Sequence, residues 1–164
     1  MEERMGWRAR DATKRSETAT IGDSDRPLTE ELLHELLSSP DPETYLNAHE
    51  LLDTTVSRYL GELLASKGMK RIDVVRSSGI NETFGYQIFK GQRNASRNKL
   101  LQIAIAMGCD LMEVNRLLKI AGVNELYCRN RRDAIIIFCI DRGDSLQKIN
   151  EELFVRDEET IYNP

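Results

Sequence analysis

Apolar residues recur with a helical period along most of this chain. Leu28, Leu32, Leu33, Leu36 and Leu37 make one stripe, preceded by Pro27 and ended near Pro40, with an acidic opposite face. Asp41-Pro42-Glu43 opens a second helix, with Asp41 as cap and Pro42 in the first turn, leading through Tyr45 and Leu46 towards Leu51 and Leu52. A third helix is predicted over about 54–66, turning Val56, Tyr59, Leu60, Leu63 and Leu64 inward and stopping at Gly68. Two short helices follow, about 70–77 and 81–90. Ser96 caps a helix of about 97–107, carrying Leu100, Leu101, Ile103, Ala104 and Met107, and Gly108 stops it. Further helices are predicted over about 111–121, 130–142 and 145–154. By β-propensity alone, Ile135–Ile140 reads as a buried strand. Its place between Arg132-Asp133 and Gly143 favours helix, so the expected fold class is all-α.

The last two helices look like a copy of the two before them. Arg97, Gly108, Leu111, Asn115, Leu118 and Tyr127 recur as Arg132, Gly143, Leu146, Asn150, Leu153 and Tyr162, all at an offset of 35. The apolar positions track as well, Leu100 with Ile135, Leu101 with Ile136 and Val114 with Ile149. A repeated helix pair buries its apolar face against its neighbour, so the second pair is expected to pack beside the first and extend the bundle.

Charge is distributed unevenly. The net charge is −4, yet residues 67–99 carry 8 Lys/Arg against 2 Asp/Glu, a net of +6. The flanks are acidic: residues 1–66 have a net of −7 and residues 100–164 a net of −3. A basic segment between acidic flanks is the footprint of a polyanion partner. Arg129–Asp133 is a second, shorter basic run; it reads as a solvated helix start, with a second phosphate or partner contact as the alternative. Residues 1–26 mix charge with Ser, Thr and Gly and show no apolar period, so they read as a disordered, solubilising tail.

Composition narrows the chemistry. The densest apolar run, Ala134–Ile140, has 7 residues, far short of a membrane span, and no signal peptide is visible. The three cysteines, Cys109, Cys128 and Cys139, stand in no metal-ligand spacing and read as buried or idle thiols of a reducing cytoplasm. There is no Gly-rich phosphate loop and no nucleophile–base pair at a usable spacing. His34 and His49 read as surface or helix-packing residues. We therefore expect no enzyme, no cofactor and no metal.

The segment Lys70–Arg93 is the most informative. Gly79 falls where the chain turns sharply between the two short helices, a position that favours positive φ, and Asn81 can cap the second of them. On that second helix Ile88 and Phe89 must face the core, with Phe84 one turn back. Glu82, Thr83, Tyr86, Gln87 and Lys90 are left pointing outward. Gln87 suits adenine, Thr83 a base edge or thymine methyl, and Lys90 guanine or phosphate. Tyr86 offers a hydroxyl. Arg71 suits a phosphate or guanine at the groove edge, and Arg93, Asn94 and Arg97 suit backbone phosphates.

Taken together, Leu60 to Gly122 resembles the lambda-repressor-like (Cro/repressor, XRE-type) helix-turn-helix family. The first motif helix starts at Arg71, the turn glycine is Gly79, the recognition helix starts near Glu82, and the following Gly-x-Arg is Gly91-Gln92-Arg93. Ser96, Leu100, Leu101, Ala104, Gly108 and Leu111 follow the family's next two helices. The resemblance implies a DNA-binding site made of Arg71, Asn81, Glu82, Thr83, Tyr86, Gln87, Lys90, Arg93, Asn94 and Arg97. This chain departs from the family in having Val75 where a small residue is usual and Gly85 where a branched apolar one is usual. We read these as a compensating swap, in which Val75 fills the space that Gly85 vacates. Glu82 stands where a polar or basic contact is common; it complements the helix dipole or accepts from cytosine N4. Ala95 replaces a frequent proline after the recognition loop.

The expected organisation is a tail at 1–26, N-terminal helices at 27–53, a helix-turn-helix DNA-binding domain at 54–122 and a C-terminal helical extension at 123–164. The expected function is a cytoplasmic, sequence-specific transcriptional regulator that binds double-stranded DNA as a homodimer. Its dimer surfaces, or a protein partner, would lie on the acidic N-terminal helices or on 123–164, with no membrane association. The alternative is a protein-interaction or antitoxin-like adaptor on a helix-turn-helix scaffold.

Overall fold

The computed structural model describes residues 29–49 and 54–163. The tail at 1–26, Leu28, and Leu51 and Leu52 lie outside the described residues. Among the described residues every regular element is α-helical, Ile135–Ile140 included. The chain divides into two units, Met1–Glu50 and Leu51–Pro164.

In the first unit the periodic leucines form α1 (Thr29–Ser38), and α2 spans Pro42–Ala48. Asp41 caps α2, accepting from the Thr44 amide at 2.9 Å. The His49 ring stacks on Tyr45 with centroids 4.3 Å apart, and its Nε2 lies 2.7 Å from the Glu35 carboxylate, which ties α2 to α1. No described residue of this unit is buried, and Leu33 and Leu37 are 54% and 77% exposed. Among the described residues of this unit, the apolar stripe has no covering partner.

The second unit holds α3 (Val56–Lys67), α4 (Arg71–Ser77), α5 (Glu82–Phe89), α6 (Arg97–Ala106), α7 (Leu111–Ile120), α8 (Arg131–Asp141) and α9 (Leu146–Phe154). Side-chain caps start six of the seven at the polar residue expected for the role: Thr55, Asn81, Ser96, Asp110, Asn130 and Ser145. Asp110 and Glu113 complete a reciprocal capping box at α7. One continuous core runs from Tyr59 and Leu60 on α3 to Leu153 and Ile161 beyond α9. Leu101, Leu117, Leu118, Ile136 and Ile149 are fully buried, and each such side chain contributes about 1.5–3 kcal/mol through its removal from water. The segments 54–122 and 123–164 share this core.

The repeat extends to individual hydrogen bonds. Arg97 donates to the carbonyls of Asn124 and Glu125; Arg132 donates to those of Glu159 and Thr160, 35 residues on. Asn115 Oδ1 accepts from the Leu126 amide at 2.8 Å, and Asn150 Oδ1 accepts from the Ile161 amide at 2.8 Å. The two pairs also meet reciprocally, with α6 on α9 and α7 on α8. Arg97 reaches Asp133 in the second pair while Arg132 reaches Asn98 in the first. Such an exchange of equivalent contacts is the pattern of a two-fold interface, here folded into a single chain. Contrary to a solvated helix start, Arg132 and Asp133 sit inside this junction.

One repeat position keeps its backbone conformation but changes its residue. Gly122 ends α7 at φ +71°, and its counterpart Asp157 holds φ +58°, a left-handed conformation costly for a residue with a Cβ. Asp157→Gly should raise stability by about 0.5–1 kcal/mol, read as a higher denaturant midpoint at unchanged slope.

Candidate nucleic-acid interface

The geometry of α4 and α5 follows from three small features of the turn between them. Gly79 takes φ +71°, which lets the chain reverse direction sharply. Ile80 is buried and pins the turn to the core. The Ser78 hydroxyl, also buried, donates to the Val75 carbonyl at 2.7 Å. Asn81 then caps α5, accepting from the Phe84 amide at 3.2 Å.

Close contact between the two helices depends on Val75 and Gly85. A Cβ placed on Gly85 would lie 2.6 Å and 3.0 Å from the Val75 methyl carbons, nearer than side chains tolerate. Val75 therefore occupies the space a side chain at 85 would need, as the swap requires. Ile88 and Phe89 are buried beside Gly85, and Phe84 is half-buried. The Ser57 hydroxyl on α3 donates to the Phe89 carbonyl, which fastens the far end of α5.

That packing sends the remaining side chains of α5 outward. Glu82, Thr83 and Lys90 are exposed, and Tyr86 and Gln87 are half-buried. Arg71 lays its guanidinium over the Tyr86 ring, 4.8 Å from the centroid, so the start of α4 and the middle of α5 form one surface. Arg93 and Asn94 are exposed in the loop that follows. Glu82 pairs with Arg76 at 3.0 Å across the turn, which holds the Arg76 guanidinium above its usual pKa. The carboxylate thus has a partner on the protein besides the amide dipoles of α5.

Arg97 has a different environment. Its Nε and terminal nitrogens make four hydrogen bonds, to the carbonyls of Asn124 and Glu125 and to both oxygens of Asp133. The Asp133 side chain is only 8% exposed, so it needs a cation within reach. Arg97 supplies it and leaves at most one N–H for an outside partner. The placement of Arg97 among the phosphate contacts thus meets a guanidinium engaged in joining the helix pairs.

Other cations sort in the same way. Lys67 pairs with Glu113 at 2.9 Å. Lys70, Arg71, Lys90, Arg93 and Lys99 form no ion pair among the described residues, so the uncompensated charge of the basic segment gathers around α4, α5 and the first turn of α6. Lys70 and Lys99 were not among the sequence-derived site residues; only their membership of the basic run marked them. Of the thiols, Cys109 and Cys139 are buried, and burial pushes Cys109 up to about 12, where it is inert as a nucleophile. No helix among the described residues is long and apolar enough to cross a membrane.

Two outcomes follow from this geometry. Val75→Ala and Gly85→Ala should each destabilise the protein by about 1–3 kcal/mol, the first by a void and the second by overpacking. Their combination should cost clearly less than the sum in a denaturant double-mutant cycle. Arg97→Met strands the Asp133 carboxylate and should cost about 2–4 kcal/mol, below a fully buried pair because Arg97 keeps part of its side chain in water.

Comparison with protein-family models, with curated proteins and with solved structures returns no match for this chain.

Proposed function

We propose that the chain is a sequence-specific DNA-binding regulator of the lambda-repressor-like type, with α5 as the recognition helix in the major groove. The observation that carries the reading is the division of α5. Its inner face is closed onto α4 and the core through Gly85, Ile88 and Phe89, while its outer face presents Thr83, Tyr86, Gln87 and Lys90. These are side chains that read base edges: Gln87 by pairing with adenine, Thr83 by a hydroxyl or methyl contact, Lys90 by donation to guanine or phosphate. Arg71, Arg93 and Asn94, with Lys70 and Lys99 nearby, lie where phosphates flank a groove, and phosphate contacts set register rather than sequence. Arg97 belongs to the framework. Asn81 acts through the helix start it caps, and Glu82 accepts from cytosine or stays with Arg76.

A helix of this length reads only a few base pairs, so the active form is a dimer on two half-sites. Regulation follows by occupancy of the operator. The second reading, an adaptor that binds protein through the same face, draws on Glu82, whose carboxylate sits at the leading end of α5 where phosphates would repel it.

Selection of duplexes from a random pool by the purified chain tests the proposal. It should enrich one motif. Gln87→Ala should shift preference at one base position by about tenfold, the worth of one base contact. Arg93→Ala should weaken every duplex alike. A Gln87→Ala variant that binds with the same base preferences would refute the orientation of α5.

A further inference from the structure

Phe138 stands where the helix-pair repeat elsewhere buries its side chain. At the offset of 35 its counterpart on α6 is Ile103, and that of Ile135 is Leu100; both counterparts are fully buried. α6 is enclosed because α4, α7 and α9 pack on it. α8 has α7 and α9 on its inner side, and Phe138, on its outer side, is 61% exposed. Arg142 lays its guanidinium over the Phe138 ring, 5.4 Å from the centroid. Beside the ring an open groove of about 400 Å³ is lined in part by Ala134, Ile135, Glu152 and Arg156. Glu152 and Arg156 pair with each other, so these two bring no unmatched charge to it. An exposed aromatic beside an apolar groove is a surface made for contact.

The order of residues along that outer side indicates what fits it. Arg131, Ala134, Phe138 and Asp141 follow at spacings of 3, 4 and 3, which is the seam of a two-helix coiled coil. They are also arranged symmetrically about Ile136, with Arg131 and Asp141 five residues away on either side and Ala134 and Phe138 two. An antiparallel copy of α8, related by a two-fold axis at the level of Ile136, therefore sets Arg131 against Asp141 at both ends. Between them it sets each Phe138 against the small Ala134 beside the groove. Opposite charges meet, and large meets small. A parallel copy would instead put Arg131 on Arg131. Asp141 is exposed and has no ion pair among the described residues. Arg131 already holds Glu158 at 2.9 Å, and its fork keeps donors for a second carboxylate. We propose that the outer face of α8 is a dimer surface, and that its occupant is the same face of a second copy, packed antiparallel.

The use of this dimer rests on the DNA-binding reading, in which two half-sites call for two copies, but association is measured without DNA. One short helix from each copy makes a contact at or below the small end of stable interfaces, about 1,200 Å² in total. The free dimer should therefore dissociate with a constant of about 1–100 μM. Sedimentation equilibrium of the full chain across that range should show monomer and dimer in exchange. Phe138→Glu should weaken association by at least about thirtyfold, the loss of a central anchor, and should keep a cooperative thermal melt because the ring lies outside the core. Arg131→Asp and Asp141→Arg each bring like charges together twice per dimer and should weaken it about tenfold. An equal mixture of these two variants should associate as the wild type does, because each supplies the charge the other lacks; a damaged fold cannot imitate that rescue. A chain that stays monomeric throughout would leave the face to another partner and overturn the inference. So would a dimer indifferent to Phe138→Glu, or a mixture no stronger than its separate components. A dimer that responds as expected but binds no duplex would uphold the inference and contradict the proposed function alone.

Discussion

The close approach of α4 to α5 is the constraint on which the site depends. Two helices joined by a four-residue turn have little area with which to fix their mutual angle. Here the angle is set by a valine side chain inserted against a glycine, where a single methyl at position 85 would clash. With that face of α5 committed, and Ile88 and Phe89 drawn into the core, helical geometry leaves no choice about where Thr83, Tyr86, Gln87 and Lys90 point. The chemistry proposed for the outer face therefore derives from packing on the inner one.

Electrostatics makes a second selection. A count of basic residues treats all eight cations of 67–99 alike, but the fold does not. Lys67, Arg76 and Arg97 are each matched by a carboxylate, and Arg97 is committed because Asp133 is nearly buried. The cations that remain uncompensated lie around α4 and α5. Arg97 has a second consequence. Together with Arg132 it clamps two similar helix pairs by reciprocal contacts.

Much of the architecture was legible in the residues because the signals are local. Helices were marked by apolar period, by polar caps and by glycines at their ends, and the predicted boundaries of α3 to α9 fall within about two residues of those observed. The helix-pair repeat was visible because equivalent residues recur at a fixed offset. The Val75–Gly85 swap was readable because two unusual sizes stood at facing positions. What could not be read were pairings across distance. Nothing in the type of Arg97 announces that its carboxylate lies 36 residues away. The basic run at Arg129–Asp133 misled for the same reason: a charge-rich helix start looks solvated until its partners Asn98, Glu159 and Tyr127 are in place.

The central claim is that the outer face of α5 meets a nucleic-acid duplex through phosphates as well as bases. Ion release makes such binding steeply dependent on salt, whereas a specific protein partner need not be. The most direct measurement is the affinity of the full chain for a selected duplex between 50 and 200 mM monovalent salt, the range over which phosphate contacts weaken measurably. The account predicts a linear fall of log affinity with log salt, at about −0.9 per phosphate neutralised, and a shallower slope for Arg93→Ala. A flat dependence, or no affinity for any duplex at the lowest salt, would contradict it.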